Sequence, residues 1–217
     1  MGVWALWLDA IRTVITASAD VGLGLGLAIV IVTLLLRTVL LPLAWPVAYR
    51  ACIRQRKMRA LQPELQALRE KLGDNPDAYL KKVKELHEKH GLPLVDLKGV
   101  LGSLVQLPIF LGMYQTLRGI GEGARFLWVP NLLRPDVVLA VIAGLTTALM
   151  MSVNPDLPEQ VRILMILLPS VIAIVAALHF SSALAIYWAT SNTFSALQTV
   201  ALHAVVRRRV QSGAIKI

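Results

Sequence analysis

Five apolar runs divide the chain: Val21–Ala44, Val100–Leu117, Val137–Val153, Val161–Phe180 and Ala183–Val206. Each is close to the roughly 20 residues that a helix needs to cross a bilayer, the second and third being short. Almost nothing joins the fourth to the fifth, which predicts a tight helical hairpin. Ahead of the first run, Trp4, Trp7, Leu8, Ile11, Val14 and Ile15 fall on one helical face, with Asp9, Arg12, Thr13 and Thr16 elsewhere. That pattern predicts a helix lying in the membrane interface over residues 1–20. Asp9 and Arg12 break the apolar stretch, so it makes a poor secretory signal.

Between the first two runs the pattern changes. Met58, Leu61, Leu65, Leu68 and Leu72 are spaced three and four apart, a helical seam in a polar segment. Gly73-Asp74-Asn75-Pro76-Asp77 is a turn signal. Tyr79, Val83, Leu86 and His90 form a second seam, and Gly91-Leu92-Pro93 ends it. Two seams flanking a turn predict an antiparallel helical hairpin over residues 46–98. The fold class is therefore an all-α polytopic membrane protein: five transmembrane helices, a helical hairpin and an N-terminal interfacial helix. The first transmembrane helix takes residues 21–45, helices two to five lie within 99–206, and a short basic tail covers 207–217.

Composition agrees: 56% of the 217 residues are hydrophobic, and mean hydropathy is +0.65. Lysine and arginine outnumber aspartate and glutamate by 22 to 13. In a membrane chain that excess reports topology before nucleic acid, and direct DNA binding is not expected. Seventeen basic residues fall in the hairpin, the tail and the connection at Arg162, against four on the other side: Arg12, Arg118, Arg125 and Arg134. The hairpin and C-terminus are thereby expected in the cytoplasm and the N-terminus outside. With Cys52 the one cysteine, no disulfide framework forms within the chain.

One charge lies deep inside a span. Arg37 sits in the first run, and none of the five runs holds a carboxylate. A guanidinium there costs about 2.5–3.5 kcal/mol on insertion scales. It lies about 6 Å to the cytoplasmic side of the span's midpoint near Thr33. A hydrated, positively charged cavity within the membrane accounts for it better than a snorkelling side chain. Thr33, four residues earlier, shares its helix face. Gln106, Asn192 and Gln198 either line the same polar groove or hydrogen bond between helices. Trp188 either contacts substrate or packs.

Other signals carry less. His87-Glu88-Lys89-His90 lacks the spacing of a metalloprotease helix, and Gly22-Leu23-Gly24-Leu25-Gly26 opens a membrane span rather than following a strand. No phosphate-binding loop, cofactor site or metal site is evident, and enzyme chemistry is not expected.

Four segments resemble the YidC/Oxa/Alb family of membrane protein insertases. They are Thr33-Leu34-Leu35-Leu36-Arg37 with Leu41-Pro42-Leu43; Met58-Arg59-Ala60-Leu61-Gln62-Pro63-Glu64-Leu65; Leu104-Val105-Gln106-Leu107-Pro108-Ile109-Phe110 with Tyr114; and Ala185-Ile186-Tyr187-Trp188 with Asn192 and Gln198. Each is weak alone; together they cover residues 21–206 in the family's order and spacing. The approach to the last span, His179-Phe180-Ser181-Ser182-Ala183, departs from the family's small, proline-containing form.

The resemblance implies a five-helix core with a groove open to cytoplasm and lipid and closed outward. It places the family's functional arginine at Arg37, its groove hydroxyl at Thr33 and its last-span aromatic at Trp188. It implies a multi-pass protein of the inner (plasma) membrane that moves short hydrophilic tails of nascent membrane proteins into the lipid bilayer. Ribosome, signal-recognition receptor and Sec translocon become candidate partners. The competing reading is a small anion transporter or channel using Arg37 as its binding charge, against which the long polar hairpin argues.

Overall fold

The computed structural model describes residues 2–93, 106–118, 120, 123–155, 157 and 161–215. Among these the fold is all-helical, with no strand beyond an isolated bridge between Phe126 and Val129. Seven α-helices follow in order: α1 (Val3–Ser18), α2 (Gly24–Leu72), α3 (Pro76–Lys89), α4 (Gln106–Leu117), α5 (Val137–Ser152), α6 (Arg162–Ala177) and α7 (Ser182–Gln211). The start of the second apolar run, residues 100–105, lies outside the described residues. The chain divides into two compact units. One comprises Met1–Pro42 and Leu104–Val200, the other Leu43–Ser103 and Ala201–Ile217.

α2 is the one helix among the described residues long and apolar enough to cross a membrane; α5 and α6 are shorter apolar helices. It does not stop where the apolar run gives way to the polar segment. Pro42, Pro46 and Pro63 all lie within its 49 residues. Each removes one N–H from the helical ladder, yet membrane helices tolerate this where neighbouring groups take up the freed carbonyl.

In the first unit, a π-helical segment (Ala19–Leu23) separates α1 from α2. Gly22 (φ 91°) and Gly24 (φ 71°) sit in the left-handed region that glycine adopts without a Cβ penalty, and they turn the chain there. α1 then packs on α4: Ile11 and Ile15 are buried, Trp7 lies against Gly112, and Trp4 Nε1 donates to Gln115 Oε1 at 3.2 Å. Of the apolar face read from the sequence, Trp4 and Val14 are exposed. The rest of the core uses small residues, including Ala28, Ala140, Ala143, Ala177, Ala183 and Ala185. Where no water is expelled between helices, small side chains let backbones approach and gain dispersion contacts. The outward faces of α5 and α6 are apolar instead: Val138, Val141, Leu145 and Leu149 on one, Ile163, Leu167, Val171 and Val175 on the other.

In the second unit, α2 ends at Leu72 and a short turn leads into α3. Asn75 caps α3, its Oδ1 accepting from Ala78 N at 3.1 Å, with Pro76 at the first position. Leu68 of α2 and Leu86 of α3 line one shallow cleft, so the two seams face each other. Lys82 donates to Glu85 Oε2 at 2.7 Å and holds that exposed carboxyl below its usual range. Elsewhere in this unit Cys52, Leu202 and Val206 form a small core, with His203 Nδ1 3.5 Å from Cys52 Sγ.

The tightest helix contact yields a prediction. A Cβ on Gly144 of α5 would lie 2.3 Å from Ile174 Cγ1 and 3.1 Å from the Ser170 carbonyl of α6. Gly144→Ala should lower stability by about 1–3 kcal/mol in detergent denaturation. Adding Ile174→Ala should recover part of that loss. A Gly144→Ala protein as stable as its parent would show that this approach does not limit the packing of α5 on α6.

Candidate functional site

Residues of the first unit enclose a cavity of about 440 Å³. One face of α7 supplies Tyr187, Trp188, Ser191, Asn192 and Ser195, a set that recurs every three or four residues. α4 supplies Leu107 and Phe110, one turn apart. α5 contributes Met150, and α2 contributes Arg37. No carboxylate is among the lining residues, so Arg37 gives the cavity an uncompensated positive charge.

Arg37 is half-buried. Its Nη2 donates to the Ser191 hydroxyl, and Ser191 is itself buried. Its Nε is buried and without a hydrogen-bond partner among the described residues. A buried guanidinium donor left unmade is costly, and Arg37 also lines the cavity, where its charge can attract water or a carboxylate. Deeper in the wall, Asn192 Nδ2 donates to Thr147 Oγ1 at 2.8 Å, and that hydroxyl donates to Ala143 O at 2.7 Å. The pair fixes α7 against α5 and settles the amide's orientation beside the cavity.

The rest of the lining is largely aromatic. Phe110 meets Trp188 edge-on at 5.9 Å between ring centroids and Tyr187 at 6.4 Å. The contacts continue from Phe110 to Tyr114 at 6.5 Å and from Tyr114 to Phe180 at 5.7 Å. Arg118 lies over the Tyr114 ring at 5.2 Å. These separations are typical of favourable ring pairs. The cavity thus has a polar, cationic side and an apolar, polarisable side. It can bind water and anionic groups while accepting apolar side chains. Among the described residues no His, Cys, Asp or Glu cluster could hold a metal ion.

Of the residues singled out in the sequence, Arg37, Trp188 and Asn192 come together here. Thr33 is fully buried, donates to its own helix at Ile29 O (2.6 Å), and does not line the cavity. Gln198 lies further along α7, outside the lining set. Gln106 opens α4, and its side chain lies outside the described residues. Ser191 and Ser195 had not been singled out, although they stand three and seven residues after Trp188 and continue its helical face. Met150 and Leu107 carry no signal that separates them from other span residues.

Comparison with known proteins fits this geometry. The family model described as 60Kd inner membrane protein matches residues 16–209. A protein of Halalkalibacterium halodurans named membrane protein insertase YidC 1 is 40% identical over 178 residues, covering 77% of this chain and 65% of that protein. One of the same name from Bacillus anthracis is 36% identical over 192 residues, covering 81% of this chain and 71% of the relative. The chain therefore spans about two thirds of the length of these relatives. A crystal structure of an active YidC insertase with its first transmembrane domain resolved shares the fold, with a TM-score of 0.67 at 24% identity. That likeness covers 92% of this chain and 47% of the other. By the extent of the family match and the identity of these relatives, the chain belongs to the YidC/Oxa family, described as the 60Kd inner membrane protein family.

Proposed function

We propose that this protein is a membrane protein insertase that works without covalent chemistry, on nascent membrane proteins, at the lipid bilayer of the cell membrane. The observation that carries the reading is the cavity itself: a single guanidinium, held by Ser191, with one donor unmet and no carboxylate beside it. The relatives' name supports the same activity.

The mechanism follows from solvation. Moving a polar tail through hydrocarbon costs several kcal/mol for each unsatisfied group. A wet cavity partway across shortens the dry path. Arg37 attracts carboxylates in that tail, and Ser191, Asn192 and Ser195 offer further polar contacts. The aromatic wall and the exposed apolar faces beside it let the substrate's own helix slide into lipid. In this reading the chain crosses the bilayer five times. α1 lies in the outer interface, and the paired seams of α2 and α3 form a cytoplasmic hairpin that receives substrate. The charge asymmetry supports this orientation. Ribosome, signal-recognition receptor and Sec translocon are candidate partners of the basic cytoplasmic face.

Two outcomes test the proposal. In a Cys52→Ala background, single cysteines at Asp74 and Ser212 should label from the cytoplasmic side and one at Arg125 from the other. Labelling of positions 74 and 125 from the same side would overturn the topology. In liposomes, Arg37→Ala should leave a folded, inserted protein, because it removes an uncompensated charge rather than an ion pair. It should slow insertion of substrates with acidic tails by about tenfold or more, the scale of one charge-assisted hydrogen bond. Substrates with neutral tails should be much less affected. Full activity of Arg37→Ala on acidic-tailed substrates would refute the charge-attraction mechanism.

A further inference from the structure

The turn at Phe126–Val129 breaks two rules at one residue. Phe126 and Val129 exchange both backbone hydrogen bonds, at 3.0 and 2.8 Å, around a two-residue turn. Leu127, the first central residue, has φ 51°, while Trp128 is not among the positive-φ residues. A turn with positive φ only at its first central position favours glycine there, since a side chain adds steric strain. Leu127 is nonetheless a large apolar residue, and it is 74% exposed. Trp128 beside it is 50% exposed. In water neither the backbone conformation nor the exposure is favourable.

The surroundings hold the turn firmly. Phe126 packs against Gly26 of α2, where a Cβ would fall 2.1 Å from the ring. Leu132 N donates to Ala124 O, Ser182 N and Oγ both donate to Arg134 O, and Ala183 N donates to Leu132 O. The segment is thereby fixed to the first residues of α7. The Trp128 indole donates to Asp136 Oδ1 at 3.2 Å, and the same oxygen accepts from Leu139 N to cap α5. Trp128 thus has its polar atom satisfied at the N-terminus of α5, the helix that carries the exposed apolar stripe Val138, Val141, Leu145 and Leu149, while half of its own surface stays exposed. Arg125 and Arg134 flank the turn and are exposed.

We propose that Leu127 and Trp128 form an anchor seated in the lipid–water interface, the leucine among upper acyl chains and the indole at headgroup level. A tryptophan where an apolar stripe ends, with arginines beside it, matches the chemistry of that boundary. The turn's attachment to α7 gives the anchor a consequence. Ser191 lies nine residues beyond Ser182, about 13 Å along the helix. An anchor at one interface therefore sets the Arg37–Ser191 pair near the middle of a hydrocarbon core about 30 Å thick. The inference rests on the first unit's residence in a bilayer, and its test separates the two.

In a Cys52→Ala background, Leu127→Cys is labelled with an environment-sensitive fluorophore in proteoliposomes. The lipids carry a quencher either near the headgroup or near the chain end. Val171→Cys, on the exposed apolar face of α6, is the bilayer control. Trp128→Cys replaces the first variant if that one does not fold. Blue-shifted emission at 127 with stronger quenching by the shallow lipid, and stronger quenching at 171 by the deep lipid, supports the anchor. A probe at 127 that is open to a water-soluble quencher, or shielded from lipid and water alike, overturns it while the 171 result leaves the bilayer reading intact. A probe at 171 that meets no lipid quencher overturns the bilayer reading and the anchor together.

Discussion

A guanidinium among apolar helices cannot be left without partners, and the arrangement around Arg37 answers that constraint. α7 brings a buried serine to it, α4 and α5 line the same cavity, and no acidic residue is among the described residues that line it. A carboxylate would make a stable ion pair and would also fill the site. The buried, unmet Nε carries a cost in stability that the packing elsewhere must offset. The cavity is thus less stable than a fully apolar bundle would be, which is the usual mark of a site kept for binding.

The packing that bears the cost is unusually close. Gly144 against Ile174, and the alanines of α5, α6 and α7, bring helices together without large side chains. The Asn192–Thr147 hydrogen bond adds a directional tie beside the cavity. At the α7 N-terminus, backbone and serine hydrogen bonds to the 124–134 segment close the bundle, and Phe126 fills the space over Gly26.

The second unit follows different physics. Its helices are rich in charge, its described buried apolar residues are few (Cys52, Leu61, Leu92, Leu202 and Val206), and its ion pairs at Lys82–Glu85 and Lys84–Glu88 are exposed ones worth little. Little apolar burial means low local stability.

Much of this was legible in the chain. The 3.6-residue seams gave α3 and the polar half of α2, the Gly73–Asp77 turn signal marked the break between them, and the apolar runs located α5, α6 and α7 within a few residues. Arg37 stood out because a charge in an apolar run has a known cost. Periodicity could not reveal that α2 runs unbroken through Pro42 and Pro46, because a proline's effect depends on what neighbours do for the freed carbonyl. Nor could it separate Thr33, which turns its hydroxyl back onto its own helix, from Ser191, which faces Arg37 across 154 residues of sequence. Met150 and Leu107 look like any other span residue until the fold places them around a void. The sequence determined which residues must leave water and which charge must be accommodated; the tertiary structure alone decided which side chains meet it. Burial is a property of composition and period, whereas a contact between distant residues depends on how the helices cross.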